Sequence, residues 1–168
     1  PAAYRDFLKE VHTEMVEQLG CPLVLHICGD TADRIGYIRE TGLACFHFDS
    51  KVPAGKAREL AGERLALMGG TSNLEIIRKG SERAIRQDVR EKIAAGIDVI
   101  GPECAVPLDA PYRNMQVLGN MVRDDELVMG MKGVGVRKKR GGVPIVSYAE
   151  KDEVERMFCN ERAVGMGV

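Results

Sequence analysis

Four runs of strand length are apolar almost throughout, and each is followed at once by a polar or glycine-rich turn. The runs are Leu23–Cys28, Ala44–Phe48, Leu65–Met68 and Ile97–Ile100; the segments that close them read HICGDT, HFDSK, MGGTSN and GPECAVP. Between the runs the apolar period changes to that of a helix. Tyr4, Phe7, Leu8, Val11, Met15 and Leu19 share one helical stripe, which predicts an amphipathic helix from Ala2 to Leu19 with Gly20 as its stop. Further helices are predicted for Thr31 to Thr41, ended by Gly42, and for Ala54 to Leu60. The clearest helix is capped by Ser81, buries Ala84, Ile85, Val89 and Ile93, pairs Glu82 with Arg86, and stops at Gly96. Strands that are apolar along their whole length and joined through helices specify a parallel α/β sheet. Four such units make half of a closed (β/α)8 barrel, which takes ~250 residues. The 168-residue chain is therefore either an open sheet or the second half of a barrel. In both, chemistry belongs at the carboxyl ends of the strands.

Charge and composition exclude several classes. With 24 basic and 25 acidic residues the net charge is −1, so no global field invites nucleic acid or an anionic membrane. No apolar stretch approaches the ~18–20 residues of a bilayer span. The opening PAAYRDFLKEVH lacks the basic-then-apolar order of a signal peptide; it also lacks an initiator methionine and enters a helix almost at once, which leaves room for a missing upstream piece. Five cysteines, an odd number without a secretion signal, point to reduced thiols and a cytoplasmic setting. Cys21, Cys45 and Cys159 sit beside apolar residues and read as packing or bystander thiols. Residues 123–168 are set apart as a glycine- and basic-rich tail. It contains GMKGVGVRKKRGG, whose run Arg137–Arg140 reads as a solvated loop, then VPIVSY as a strand and Lys151–Cys159 as a short helix. No role is assigned to it.

His26 and Cys28 stand at i and i+2 at the end of a strand, a spacing that points both side chains to one face. Cys104 holds the corresponding place after the last strand, in PEC, and Asp49 ends the strand ACFHF between them in sequence. A parallel sheet thus carries an imidazole, two thiols and a carboxylate to one rim. Imidazole and thiolate suit zinc, and three protein ligands with an open position are the catalytic rather than the structural pattern. By spacing alone, a packed histidine and two inert thiols account for the same residues equally well.

The surrounding motifs decide between these. HICGDT, HFDSKV, MGGTSN and GSERAIRQDVREKIAAGIDVIGPECAVPLDAPYRN, in this order, resemble the uroporphyrinogen decarboxylase superfamily, and most closely its zinc-dependent corrinoid methyltransferase branch, such as the methylcobamide:coenzyme M methyltransferases. That branch carries His-x-Cys followed much later by a lone Cys; here Cys28 and Cys104 are 76 positions apart. The resemblance covers roughly residues 1–123. It implies a TIM-type (β/α)8 barrel of which residues 1–122 are the C-terminal half. It implies His26, Cys28 and Cys104 as zinc ligands and Asp49 as the acidic group able to hold the fourth position until a thiol displaces it. A cap on the following turn is the alternative for Asp49. Glu103 reads as a rim residue, His12 as a surface residue and His47 as a packed histidine.

The activity so implied is methyl transfer from a methylated corrinoid to a thiol such as coenzyme M. Zinc strips the proton from a thiol yet leaves a sulfur that attacks carbon, so the transfer step needs no general acid or base. The chain has no D-x-H-x-x-G cobalamin motif, so the corrinoid would arrive on a partner protein. Backbone N–H groups around Gly69 and Gly70, in GGTSN, are placed to meet an anionic substrate tail, a plain glycine turn being the simpler reading. Two other readings stand beside this one: a metal-independent decarboxylase-like lyase, and an incomplete module that pairs with another chain to close the barrel.

Overall fold

The computed structural model describes residues 2–123; the predicted tail lies outside the described residues. A π-helical turn, Tyr4–Leu8, runs into helix α1, Lys9–Leu19, which Gly20 closes in the left-handed conformation. Strands β1 (Val24–Ile27), β2 (Cys45–Phe48), β3 (Ala66–Thr71) and β4 (Val99–Pro102) alternate with helices α2 (Ile35–Arg39), α3 (Ala54–Ala61) and α4 (Glu82–Ala94), and α5 (Tyr112–Arg123) follows. All strand pairs are parallel and the sheet order is β1-β2-β3-β4. Each strand lies beside its predecessor with no reversal. That is the order of an arc of barrel, not of a doubly wound sheet with its switch point. No described helix is long and apolar enough to cross a membrane.

The helix-side face of the sheet is the core. Phe46, Phe48, Leu67 and Ile100 are buried there against Ile35, Ile38, Ala57, Ile85 and Val89. Each large side chain so buried stabilises by about 1.5–3 kcal/mol. The opposite face, carrying Val24, His26, His47, Met68 and Val99, is exposed or half-buried. The stripe on the π-helical turn and α1 departs from expectation in the same sense: Tyr4 is buried, but Phe7 is 75% and Leu19 55% exposed, with Leu8, Val11 and Met15 also exposed. No described residue covers that face.

Strand β4 lies at Val99–Pro102, two residues later than the predicted Ile97–Ile100, and α2, β3 and α5 also depart from expectation. Helix α2 begins at Ile35, the preceding residues forming a turn in which Asp30 accepts the amide of Ala32 and Thr31 the amides of Arg34 and Ile35. Strand β3 runs on through Gly69, Gly70 and Thr71 instead of ending before them. Helix α5 has no predicted counterpart; Val117, Leu118 and Met121 bury its inner side. Ser81 does cap α4, accepting the Ala84 amide. On α4, Lys92 is buried unexpectedly, paired with Asp88, whose other oxygen accepts the Thr71 hydroxyl.

Candidate metal centre

The carboxyl ends of the strands converge on three side chains. The Nε2 of His26 lies 3.1 Å from the Sγ of Cys28 and 3.3 Å from the Sγ of Cys104, and the two sulfurs are 3.1 Å apart. The cysteines are free thiols, well beyond the ~2.05 Å of a disulfide. Three donor atoms all lie within 4.8 Å of one another, on residues that are exposed or half-buried. Among the described residues no other group of three or more His, Cys, Asp and Glu side chains is gathered this way.

His26 is held in a definite tautomer. Its Nδ1 faces the main-chain carbonyl of His47 at 3.1 Å. A carbonyl only accepts, so Nδ1 carries the proton and donates, and the lone pair of Nε2 points at the sulfurs. This is the outer bond that ligating histidines characteristically make. The imidazole of His47 lies beside that of His26, centroids 4.3 Å apart. Its Nε2–H donates to the Pro102 carbonyl at 2.7 Å. Burial, helped by the neighbouring His26 and opposed by the Pro102 carbonyl, holds His47 below its ordinary pKa.

Gly69 accounts for that reach, while its neighbour Gly70 makes room for Phe48. Both have positive φ, 96° and 78°. A Cβ on Gly69 would come within 2.7 Å of the His47 Nε2, and one on Gly70 within 2.7 Å of the Phe48 ring. The glycines sit in β3, not in a turn after it, and the missing side chain of Gly69 lets His47 cross from β2 to the end of β4.

Asp49 does not join the three donors. Its Oδ2 accepts the Gly29 amide at 2.7 Å and its Oδ1 the Lys51 amide at 3.0 Å. Burial opposes its charge, but the Lys51 and Gly29 amides, with Lys51 and His26 nearby, outweigh this and hold the carboxyl below its usual range. Of the two expectations for Asp49, the turn cap is the one these bonds describe. Glu103 is more than a rim residue: its carboxylate accepts the Asn73 amide at 2.8 Å and the Ser50 amide at 3.2 Å. The Lys51 bond of Asp49 is local, but the Gly29 amide and both partners of Glu103 are main-chain N–H groups far away in sequence and leave no local signal.

The donor set fits zinc by type: one imidazole and two thiols, with no fourth described side chain closing the group. The Cys28 thiol is pushed above its ordinary value, first by its hydrogen bond to Cys104, then by burial and by the charges of Cys104, Asp49 and Glu103. Two sulfurs this close cannot both ionise readily unless a cation lies between them. Cys45 behaves as expected of a packing thiol: burial, with Asp98 nearby, pushes it up to about 12. Cys21 is exposed, and Cys159 lies outside the described residues.

Comparison with known proteins gives this geometry its family. The family described as uroporphyrinogen decarboxylase (URO-D) matches residues 1–124. A methylated-thiol–coenzyme M methyltransferase of Methanosarcina mazei is 31% identical over 113 residues, covering 67% of this chain and 30% of that protein. The methylcobamide:CoM methyltransferase MtaA of Methanosarcina barkeri is 24% identical over 119 residues, covering 70% of this chain and 35% of its own length. A solved structure of a methyltransferase from Methanosarcina mazei superposes with a TM-score of 0.68 at 28% identity, over 73% of this chain and 36% of that one. The chain spans about a third of the length of the relatives it matches. The four parallel units are thus part of a (β/α)8 barrel, and the chain belongs to the uroporphyrinogen decarboxylase family.

Proposed function

We propose that this chain carries the metal centre of a zinc-dependent methyltransferase, which moves a methyl group from a methylated corrinoid protein to a small thiol of the coenzyme M kind. The observation that carries the reading is the convergence of His26 Nε2, Cys28 Sγ and Cys104 Sγ within 4.8 Å. A metal-independent decarboxylase has no use for that cluster. The names of the relatives, coenzyme M and methylcobamide methyltransferases, support the same chemistry.

In this reading His26, Cys28 and Cys104 hold the ion. With zinc held there, the pKa of an incoming thiol would be lowered, its proton would pass to solvent and its sulfur would remain nucleophilic. The chain's own residues do the rest. The His47 carbonyl fixes the His26 tautomer, and Asp49 sets the Cys28 loop through the Gly29 amide. His26 and Cys28 are exposed, so a thiol and a bulky methyl donor can reach the same point. No acid or base is needed beside them. The free thiols fit a cytoplasmic setting. The exposed face of the sheet and the apolar side of α1 fit a barrel completed by further strands, in the same polypeptide or a partner.

The test is metal content of the full chain, followed by methyl transfer from free methylcobalamin to a panel of thiols, with Cys104→Ala as control. Stoichiometric zinc and a transfer rate that falls to background in Cys104→Ala are expected. A metal-free protein, or an unchanged rate in the variant, would overturn the assignment and favour the lyase reading.

A further inference from the structure

Cys28 follows the strand at one edge of the sheet and Cys104 follows the strand at the other, yet their sulfurs are 3.1 Å apart. Strand pairing alone does not bring them together. Adjacent strands stand about 4.8 Å apart, so the outer two of four lie roughly 14 Å apart in a flat sheet. Even with barrel curvature, the segment after β4 must turn inward across the ends of β3 and β2.

Two residues make that turn. The Glu103 amide continues the β3–β4 ladder by donating to the Thr71 carbonyl at 2.9 Å. Its carboxylate then spans two neighbouring strand ends, one oxygen on the Ser50 amide after β2 and the other on the Asn73 amide after β3. On the far side of Cys104, the Asn73 side-chain amide donates to the Ala105 carbonyl at 2.8 Å. Cys104 is therefore gripped from both flanks, and Asn73 takes part in both grips. Asn73 is only 5% exposed, and its Oδ1 has no partner among the described residues. The buried amide leaves one acceptor unsatisfied while its nitrogen holds the Ala105 carbonyl. A flipped amide would set oxygen against oxygen and lose that bond as well.

We propose that Glu103 and Asn73 are positioning residues whose task is to aim the Cys104 sulfur at Cys28 and His26. The inference rests on the metal-centre reading above. It differs from a general stabilising role in what it predicts: loosening either grip withdraws one thiolate from the metal and leaves the other two ligands in place.

The experiment uses the full chain, stripped of metal and titrated with Co2+, in unaltered form and as Asn73→Asp, Glu103→Gln and Cys104→Ala. The first substitution replaces the donor to Ala105 with a carboxylate oxygen; the second keeps an acceptor for one amide and opposes the other. The thiolate-to-cobalt charge-transfer absorbance per bound ion is expected to fall in both variants toward that of Cys104→Ala. Zinc affinity, from competition with a chromophoric chelator, is expected to fall about 10–100-fold, the usual loss when an outer partner of a ligand is removed. If Asn73→Asp does not fold, Glu103→Gln decides alone. Variants that lose thermal stability but keep the absorbance and affinity of the unaltered chain would show a merely structural grip and overturn the proposal. Failure of the unaltered chain to take up cobalt or zinc is a different result, and would remove the metal reading together with this one.

Discussion

His47 reaches its partner only because residue 69 has no side chain: its imidazole Nε2 lies where a Cβ on Gly69 would come within 2.7 Å. The same imidazole lies alongside His26, while the His47 carbonyl accepts a hydrogen bond from the Nδ1–H of His26. A glycine in the middle of β3 thus bears on the tautomer of a histidine two strands away.

Gly69→Ala separates this from a simple strand effect. The added methyl meets the ring and the Phe48 carbonyl, and φ of 96° is one that alanine adopts only under strain. A loss of about 2–4 kcal/mol in denaturant unfolding is expected. Metal affinity should fall as well, although no ligand has been changed. If the Gly69→Ala variant binds zinc as tightly as the unaltered chain, the His47 crossing does not matter to the site.

The four described cysteines should react in three different ways. Cys21 is exposed and should be alkylated by iodoacetamide at pH 8 with or without metal. Cys28 and Cys104 should be protected in the zinc-loaded chain and become reactive once a chelator removes the ion. Cys45, with its thiol near 12, has about 1 part in 10,000 as thiolate at pH 8 and should stay unlabelled until the protein unfolds. Peptide mass mapping reads all four positions. Equal labelling of Cys28 and Cys104 before and after chelation would contradict the metal assignment.

Asp49 gives a pH signature. Its folded pKa is depressed, so the stability it contributes is present above the unfolded value near 4 and is lost as pH falls through the lower, folded value. Asp49→Asn keeps one acceptor but sets an N–H₂ group against the amide of Gly29 or Lys51. The variant should be less stable than the unaltered chain by about 1–2 kcal/mol at neutral pH. That difference should narrow below about pH 4, as the carboxylate of the unaltered chain takes up its proton. Urea titrations across this range test it; a gap that widens on acidification would mean that the carboxylate is not the acceptor described.

Legibility of the fold and the site follows the range of the interactions. The strands can be read because their apolar runs are contiguous, and His26 with Cys28 because a period of two is local. Cys104 can be placed on the rim but not aimed, since the groups that aim it are the amides of Ser50 and Asn73 and the carbonyl of Ala105. Every residue type offers those groups, so no pattern marks them. Gly69 looks like a turn in the sequence because its true partner, His47, lies 22 positions earlier and across a strand. Periodicity overextends helix α2 because residues 31–34 keep the apolar spacing of a helix while forming a separate turn. Helix α5 escapes it because its three buried residues, Val117, Leu118 and Met121, flank Gly119, which weakens the helical signal.

The amino end of the sheet should behave in the opposite way to the rim that carries the metal donors. There Asp98 accepts the Leu67 amide at 2.9 Å and pairs with Arg58, which also donates to the carbonyls of Gly62, Leu65 and Gly96. Removing the carboxylate leaves the guanidinium without its counter-charge and an amide without its acceptor, in a region where both side chains are mostly covered. Asp98→Ala should therefore cost about 1–3 kcal/mol of stability. None of these groups contacts His26, Cys28 or Cys104, so zinc stoichiometry and affinity in the folded fraction should stay as in the unaltered chain. Function at one end of the strands and stability at the other is the division expected of a barrel. Chemical denaturation paired with chelator competition on the same sample measures both quantities. A fall in zinc affinity as large as that from Asn73→Asp would show that the two ends are coupled, and that the Glu103–Asn73 grip is not the local device described for it.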